Sequence, residues 1–313
     1  MNILTHESKE KVEHRTAVAL GNFDGIHLGH QQLINIMTSE SEKKGLMSSV
    51  LLFNNHTKSI ISKESKPGIL TSNEQKYRIL ESLGVQLIYT MKFNESIMKL
   101  SPEEFAMEIL VEKMKANLVV VGFDYKFGYK AKGDAKYLRK LGIKYGFDVI
   151  VVDPVYDNDY IISSTFIRKL LKSGNIKEAN KLLGRPYTIE GRVIGGKKRG
   201  RQMGFPTANL ELLQNYLIPK FGVYKSKTII DDIEYNSLTN IGKNPTFNNN
   251  MWSIESHILD FNKDIYGNRI YIKFLEYLRE DKKFNTKEEL INQMNLDIES
   301  IKSNDDIYNS TCL

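Results

Sequence analysis

The chain has 313 residues, of which 41% are hydrophobic and 26% charged, and its formal net charge is +6. Length and composition suit a soluble globular protein of two ordinary domains or one large one. No stretch approaches the roughly 20 apolar residues of a membrane helix, and the single cysteine, Cys312, excludes an internal disulfide or a thiolate metal cluster.

The segment MNILTHESKEKVEHR has no apolar core of the kind a secretory signal carries, so a cytoplasmic setting is expected. From residue 16 onward, short apolar runs alternate with amphipathic stretches. The runs at 16–21, 48–53, 86–91, 117–122 and 148–155 are rich in Val, Ile and Leu and read as buried strands. Segments 30–43, 73–83, 102–115 and 135–145 read as helices. Ser101 followed by Glu104 is a capping-box pattern that starts the third. This alternation predicts a doubly wound parallel sheet with right-handed crossovers and ligands at the carboxyl ends of its strands.

Directly after the first of these strands comes Gly21-Asn22-Phe23-Asp24-Gly25-Ile26-His27-Leu28-Gly29-His30. A glycine-rich turn opening a helix lets backbone N–H groups approach a phosphate, and the helix N-terminus adds favourable partial charge. His27 and His30, three residues apart, fall on one helical face. Two imidazoles beside a phosphate suit charge stabilisation during in-line displacement at phosphorus. Neither a P-loop nor a dinucleotide-binding G-x-G-x-x-G is present in this turn. Further on, in Ile162-Ser163-Ser164-Thr165-Phe166-Ile167-Arg168, Ser163 or Ser164 could cap a helix whose first-turn N–H groups face a ligand, with Arg168 reaching phosphate; taken alone, the segment reads rather as an ordinary N-cap with a solvated arginine.

Near residue 184 the rhythm changes. Segments 187–194, 223–230, 233–240, 252–261 and 269–277 read as strands, Asp231-Asp232 as a hairpin turn, and 287–301 as a C-terminal helix. A compact antiparallel barrel or sandwich is expected, with the domains dividing as 1–184 and 185–313. The dense stretch here runs from Gly196 through Lys198, Gly200, Gly204, Pro206 and Thr207 to Asn209. Its cations and glycines make a positive loop, and the Thr207 hydroxyl and Asn209 amide oxygen are hard donors suited to Mg²⁺. By itself the run reads as readily as a solvated loop, and an RNA-binding patch is a further reading.

Together these motifs resemble the prokaryotic bifunctional riboflavin kinase/FMN adenylyltransferase family. In the first half the resemblance rests on G-N-F-D-G-I-H-L-G-H, L-T-S-N-E-Q-K from Leu70, G-F-D-Y-K-F-G from Gly122 and I-S-S-T-F-I-R. In the second it rests on K-R-G-R-x-x-G-F-P-T-A-N, then Phe221-Gly222-Val223-Tyr224, Asn240-Ile241-Gly242 with Pro245-Thr246-Phe247, Glu255-Ser256-His257 and Leu278-Arg279. The resemblance implies a Rossmann-like nucleotidyltransferase domain followed by a six-stranded barrel of the riboflavin kinase type and a C-terminal helix. It implies that His27, His30 and Arg168 hold ATP phosphates, and that Gly21, Phe23, Asp24, Gly25, Gly29, Ser163, Ser164 and Thr165 belong to that pocket. Asp124 and Phe127 would lie along nucleotide or flavin. In the barrel, Lys198, Gly200, Gly204 and Pro206 would surround ATP, Thr207 and Asn209 would hold Mg²⁺, and Glu255 would be the general base. Riboflavin, FMN and ATP are the implied substrates, FMN and FAD the products, with no nucleic acid or membrane partner. The departures are Phe53-Asn54-Asn55-His56-Thr57, where the family usually has prolines, and Phe166, where a polar or basic residue is common. Two other readings stay open: a chain retaining only one activity, and a flavin- or RNA-binding regulator on the same fold.

Overall fold

The computed structural model describes residues 1–8, 10–54, 68–196, 204–242 and 252–309, with side chains to residue 301. Asn55, His56, Thr57, Lys198, Gly200, the 245–247 motif and Cys312 lie outside the described residues. The chain forms two compact units, Met1–Pro67 with Thr71–Ser164, and Gly68–Leu70 with Thr165–Leu313. Residues 68–70 join the second unit because Ile69 N–H donates to the Asn215 carbonyl at 2.8 Å and Leu217 N–H donates to the Ile69 carbonyl at 2.9 Å.

The first unit is built on six strands: β1 (Asn2–Thr5), β2 (Thr16–Leu20), β3 (Met47–Phe53), β4 (Leu87–Met91), β5 (Ala116–Gly122) and β6 (Asp148–Val152). Their order is β1-β4-β3-β2-β5-β6, every pair parallel. The strands read as solid apolar runs because both faces are covered. On β2, Val18 and Leu20 join one core with Phe105, Ile109 and Leu110, while Ala17 and Ala19 join the other with Leu33, Ile34 and Met37. The second of these cores holds helix α1 (Leu28–Lys44), which ends at Gly45 in the left-handed conformation. Helix α2 (Asn73–Ser82) starts at a Ser72–Gln75 capping box and α3 is Ala135–Tyr145.

Two features depart from the sequence reading. Strand β1 was not expected: it is an edge strand of four residues, mostly exposed, and so carries no burial pattern to read. The helix expected over 102–115 keeps its Ser101–Glu104 capping box but passes into a π-helix over Phe105–Lys113. Its buried residues Phe105, Ala106, Ile109 and Leu110, with Met114 following, recur every four to five positions. A wider turn keeps them all on the sheet, and Met114 N–H accordingly reaches the Ile109 carbonyl at 3.0 Å.

The second unit opens with α4 (Ser164–Ser173, whose first residue belongs to the first unit) and α5 (Ile176–Leu183). It then forms a closed antiparallel barrel of β7 (Tyr187–Ile194), β8 (Thr207–Leu212), β9 (Gly222–Ile230), β10 (Ile233–Gly242), β11 (Ser253–Ile258) and β12 (Arg269–Arg279). The strand order is β7-β8-β11-β10-β9-β12, and β12 closes on β7. Strand β8 is the sixth strand, in the stretch whose residue pattern reads as part of the basic loop. Within the barrel, Ser226, Thr228, Ser237, Thr239 and Ser256 are fully buried and hydrogen-bond one another at 2.7–3.1 Å. Each buried hydroxyl therefore has a partner, as burial requires. Helix α6 (Lys287–Asn309) lies against the barrel through Val223, Leu238, Leu259 and Ile301. It is pinned by Arg279, whose Nε and Nη2 reach the Asp297 carboxylate at 3.1 and 2.7 Å.

Candidate active sites

In the first unit, residues 21–27 connect β2, next to the centre of the sheet, to the start of α1. Strand order reverses beside β2, which is where open parallel sheets bind ligands. Phe23 (φ 46°), Gly25 (φ 88°) and Ile26 (φ 37°) all adopt positive φ. For Phe and Ile that conformation costs about 1–3 kcal/mol each and must be held by its surroundings. Both side chains are fully buried. The Asp24 carboxylate accepts Thr71 N–H at 3.3 Å, the Thr71 hydroxyl accepts Gly25 N–H at 2.9 Å, and the Asp24 carbonyl accepts the Ser164 hydroxyl at 2.8 Å. Lys76 is buried nearby. Burial pushes its pKa below the ordinary lysine value, and the Asp24 charge opposes that shift.

His27 is the N-cap of α1, its Nδ1 accepting His30 N–H at 3.4 Å. An accepting Nδ1 places the proton of a neutral imidazole on Nε2. The two imidazoles stack with centroids 3.8 Å apart, and Phe23 meets His30 edge-on at 5.3 Å. A Cβ on Gly29 would stand 3.3 Å from the His27 ring, so glycine is what lets the stacked pair close over the helix start. The first turn of α1 carries no acidic residue. The start of α1, with its helix dipole, and the stacked imidazoles of His27 and His30 thus stand at one place of a kind suited to phosphate.

The structure distributes the other expected residues differently. Ser164 is tied to Asp24, and so its hydroxyl bonds the turn; Ser163 immediately precedes α4, Thr165 is exposed, and Arg168 lies one turn into α4. Gly21 carries the Phe23 ring close by: a Cβ there would meet it at 3.1 Å. Asp124 is exposed, whereas Phe127 is buried between Phe105 and Tyr125, with centroids 5.7 Å from each.

In the barrel, Thr207 and Asn209 alternate along β8 and so share a face. Asn209 is the direct register partner of Glu255 on β11, and Thr207 that of His257. The Thr207 hydroxyl lies 3.5 Å from one Glu255 carboxylate oxygen, and the Ser253 hydroxyl 3.4 Å from the other. A Cβ on Gly196 would fall 2.3 Å from the Asn209 amide nitrogen, so only glycine permits that approach of the loop. Gly204 turns at φ 87° with open space around it. A hydroxyl, an amide oxygen and a carboxylate gathered on one face form a hard-oxygen set that fits Mg²⁺ held together with phosphate oxygens. Among the described residues no group of three His, Cys, Asp or Glu could hold a metal alone.

A family model described as FAD synthetase matches residues 9–166, and one described as riboflavin kinase matches residues 183–304. A bifunctional riboflavin kinase/FMN adenylyltransferase of Listeria monocytogenes is 41% identical over 282 residues, covering 90% of this chain and 89% of that protein. The chain belongs to the bifunctional riboflavin kinase/FMN adenylyltransferase family.

Family members of the same name from Buchnera aphidicola and Bacillus subtilis are 39% and 37% identical. They cover 94% and 93% of this chain, and equal shares of their own lengths. The crystal structure of a macrolide-efflux protein from Streptococcus pneumoniae superposes with a TM-score of 0.88 at 34% identity, covering 96% of this chain and 99% of that one. Among the described residues of this riboflavin kinase/FMN adenylyltransferase family member, no helix is long and apolar enough to cross a membrane.

Three further residues of this family member lie beside the expected site residues. Phe123 sits beside Asp124 and is 46% exposed, whereas Phe127 is buried. His257 had been given no role. Its Nδ1 donates to the Pro206 carbonyl at 2.8 Å and its ring takes Phe205 edge-on at 5.5 Å, which ties the end of the loop to β11. Asn240, the register partner of Glu255 on its other side, was read only as part of a motif. Cross-strand pairing across a long sequence gap is invisible until the register is known.

Proposed function

We propose that the chain converts riboflavin to FMN and FMN to FAD, each step consuming one ATP, with residues 1–184 carrying adenylylation and residues 185–313 phosphorylation. The reading rests on one observation above others: the Glu255 carboxylate lies beside Thr207 and opposite Asn209, in the half of the chain that matches riboflavin kinase.

In the kinase step Glu255 accepts the proton of the terminal ribityl hydroxyl. That oxygen bonds to the γ-phosphorus of ATP as the bond to the β–γ bridging oxygen breaks and ADP departs. Thr207 and Asn209 are the residues that would hold Mg²⁺, which when bound neutralises charge on the phosphates. His257 holds the Pro206–Thr207 peptide against β11 and so keeps the Thr207 hydroxyl beside the base. Lys198 and Gly200 are assigned to the ATP phosphates from their motif.

In the adenylyl step an FMN phosphate oxygen bonds to the α-phosphorus of ATP and pyrophosphate leaves. His27 through Nε2–H, His30 and the N–H groups opening α1 stabilise the charge on the phosphates, and Arg168 takes the same role by its motif. No side chain needs to become covalently bonded. The Asp24–Thr71 network keeps the strained turn in the shape that aims these donors. We place the enzyme in the cytoplasm. Incubation of the purified chain with riboflavin and MgATP, followed by chromatography of the flavins, tests the reading. FMN should appear first and FAD later; FMN without FAD would leave a kinase alone, and neither product would defeat the proposal.

A further inference from the structure

Three polar residues stand abreast on the barrel: Asn209 on β8, Glu255 on β11 and Asn240 on β10. Glu255 is the direct register partner of both asparagines. Directly opposed residues of antiparallel strands project to the same face, with Cβ atoms about 4.5–5.5 Å apart. Two of the three have roles in the proposed phosphoryl transfer, and the third has none so far.

The Asn240 amide oxygen is buried and has no hydrogen-bond partner among the described residues. Buried acceptors are almost always paired, so one left open beside a reactive carboxylate points to a donor supplied by a ligand. At the other end of the amide, a Cβ on Gly242 would meet Asn240 Nδ2 at 3.0 Å and an Asp281 carboxylate oxygen at 3.1 Å, so the nitrogen and that carboxylate border the same point beside Gly242.

The group presented to Glu255 in the kinase reading is the terminal hydroxyl of a polyol chain, and its neighbour along that chain is a secondary hydroxyl. A carboxylate and an amide oxygen side by side provide two acceptors matched to two vicinal hydroxyls. We infer that Asn240 is a specificity-determining residue of the kinase site, its amide oxygen accepting the hydroxyl next to the terminal one and so aiming the terminal oxygen at phosphorus. This rests on the kinase reading above. An amide suits the task better than a second carboxylate, because it accepts without adding negative charge beside the proton acceptor or near the phosphates.

The test uses the full chain with two substrates, riboflavin and the analogue lacking the ribityl hydroxyl adjacent to the terminal one. The wild-type protein should favour riboflavin by about 10- to 100-fold in kcat/KM, the ratio set by one buried hydrogen bond. Asn240→Ala should lower kcat/KM for riboflavin by a similar factor and bring the ratio close to one, while adenylylation of supplied FMN is unchanged. Asn240→Asp keeps an acceptor at the same place and should keep the preference for riboflavin, though at a lower rate. The inference is overturned if Asn240→Ala retains the wild-type ratio. It is also overturned if the wild-type protein treats the two substrates alike, or if the alanine variant changes only the Mg²⁺ concentration needed. A wild-type protein that phosphorylates neither flavin would overturn the kinase reading itself, which is a distinguishable result.

Discussion

The Thr207 hydroxyl lies 3.5 Å from a carboxylate oxygen of Glu255, across two strands separated by 48 positions in the chain. On the proposed reading, their adjacency puts a neutral hard donor and a proton acceptor at one point, as phosphoryl transfer to an alcohol needs. Glu255→Gln keeps the shape and an acceptor oxygen but accepts no proton at neutral pH. Riboflavin phosphorylation at saturating substrates should fall by roughly 10²–10⁴-fold with little change in riboflavin binding. A variant with the wild-type maximal rate would take the base out of the mechanism.

Thr207→Ala should fail in another way. Removing a metal donor raises the Mg²⁺ concentration required, whereas the glutamine variant should leave it unchanged. Titrating each variant with Mg²⁺ at fixed ATP separates the two defects.

His257 acts on the same point indirectly, through the 2.8 Å bond to the Pro206 carbonyl. His257→Leu frees the start of β8, so FMN formation should weaken and the Mg²⁺ requirement should rise. In His257→Asn the amide nitrogen stands near the Nδ1 position, so the asparagine variant should recover much of the loss. Equal defects in the two variants would show that the imidazole does more than hold Pro206.

In the first unit, His30→Ala should remove most FAD formation, at a cost of about 3 kcal/mol or roughly a hundredfold in rate. FMN formation should be spared. Comparable damage to both activities in a folded variant would mean the two sites are not separable.

The strained turn offers an independent check. Thr71→Val removes the hydroxyl that accepts Gly25 N–H and leaves that donor buried, costing about 1–3 kcal/mol. A lower melting temperature and a loss of FAD synthesis out of proportion to FMN synthesis are expected. An unchanged melting curve with full FAD synthesis would mean that the turn is held by its buried Phe23 and Ile26 alone.

The parallel sheet was legible in the residue pattern because strands such as Thr16–Leu20 are buried on both faces and read as unbroken apolar runs. The histidine turn was legible because its residues are contiguous, and Asn73–Ser82 starts at a local capping box. Glu255 and the Thr207–Asn209 pair are each singled out by a contiguous family motif, which needs no knowledge of the fold. What the tertiary structure decided lies between distant segments. Strand β8 alternates polar and apolar residues over only the short run Thr207–Leu212, directly after the basic stretch that masks it, and pairing with β7 and β11 makes it a strand. The burial of Phe127 and exposure of Phe123 follow from where the chain folds back on the π-helix, which neither aromatic announces locally. The same holds for Asp24, whose partners Thr71 and Ser164 are 47 and 140 positions away. Sequence patterns report periodicities of two to five residues, and hydrogen bonds closed over tens of residues depend on register and on which strands become neighbours. Asn240 gained its place beside Glu255 in that way, by one residue of register in an antiparallel ladder.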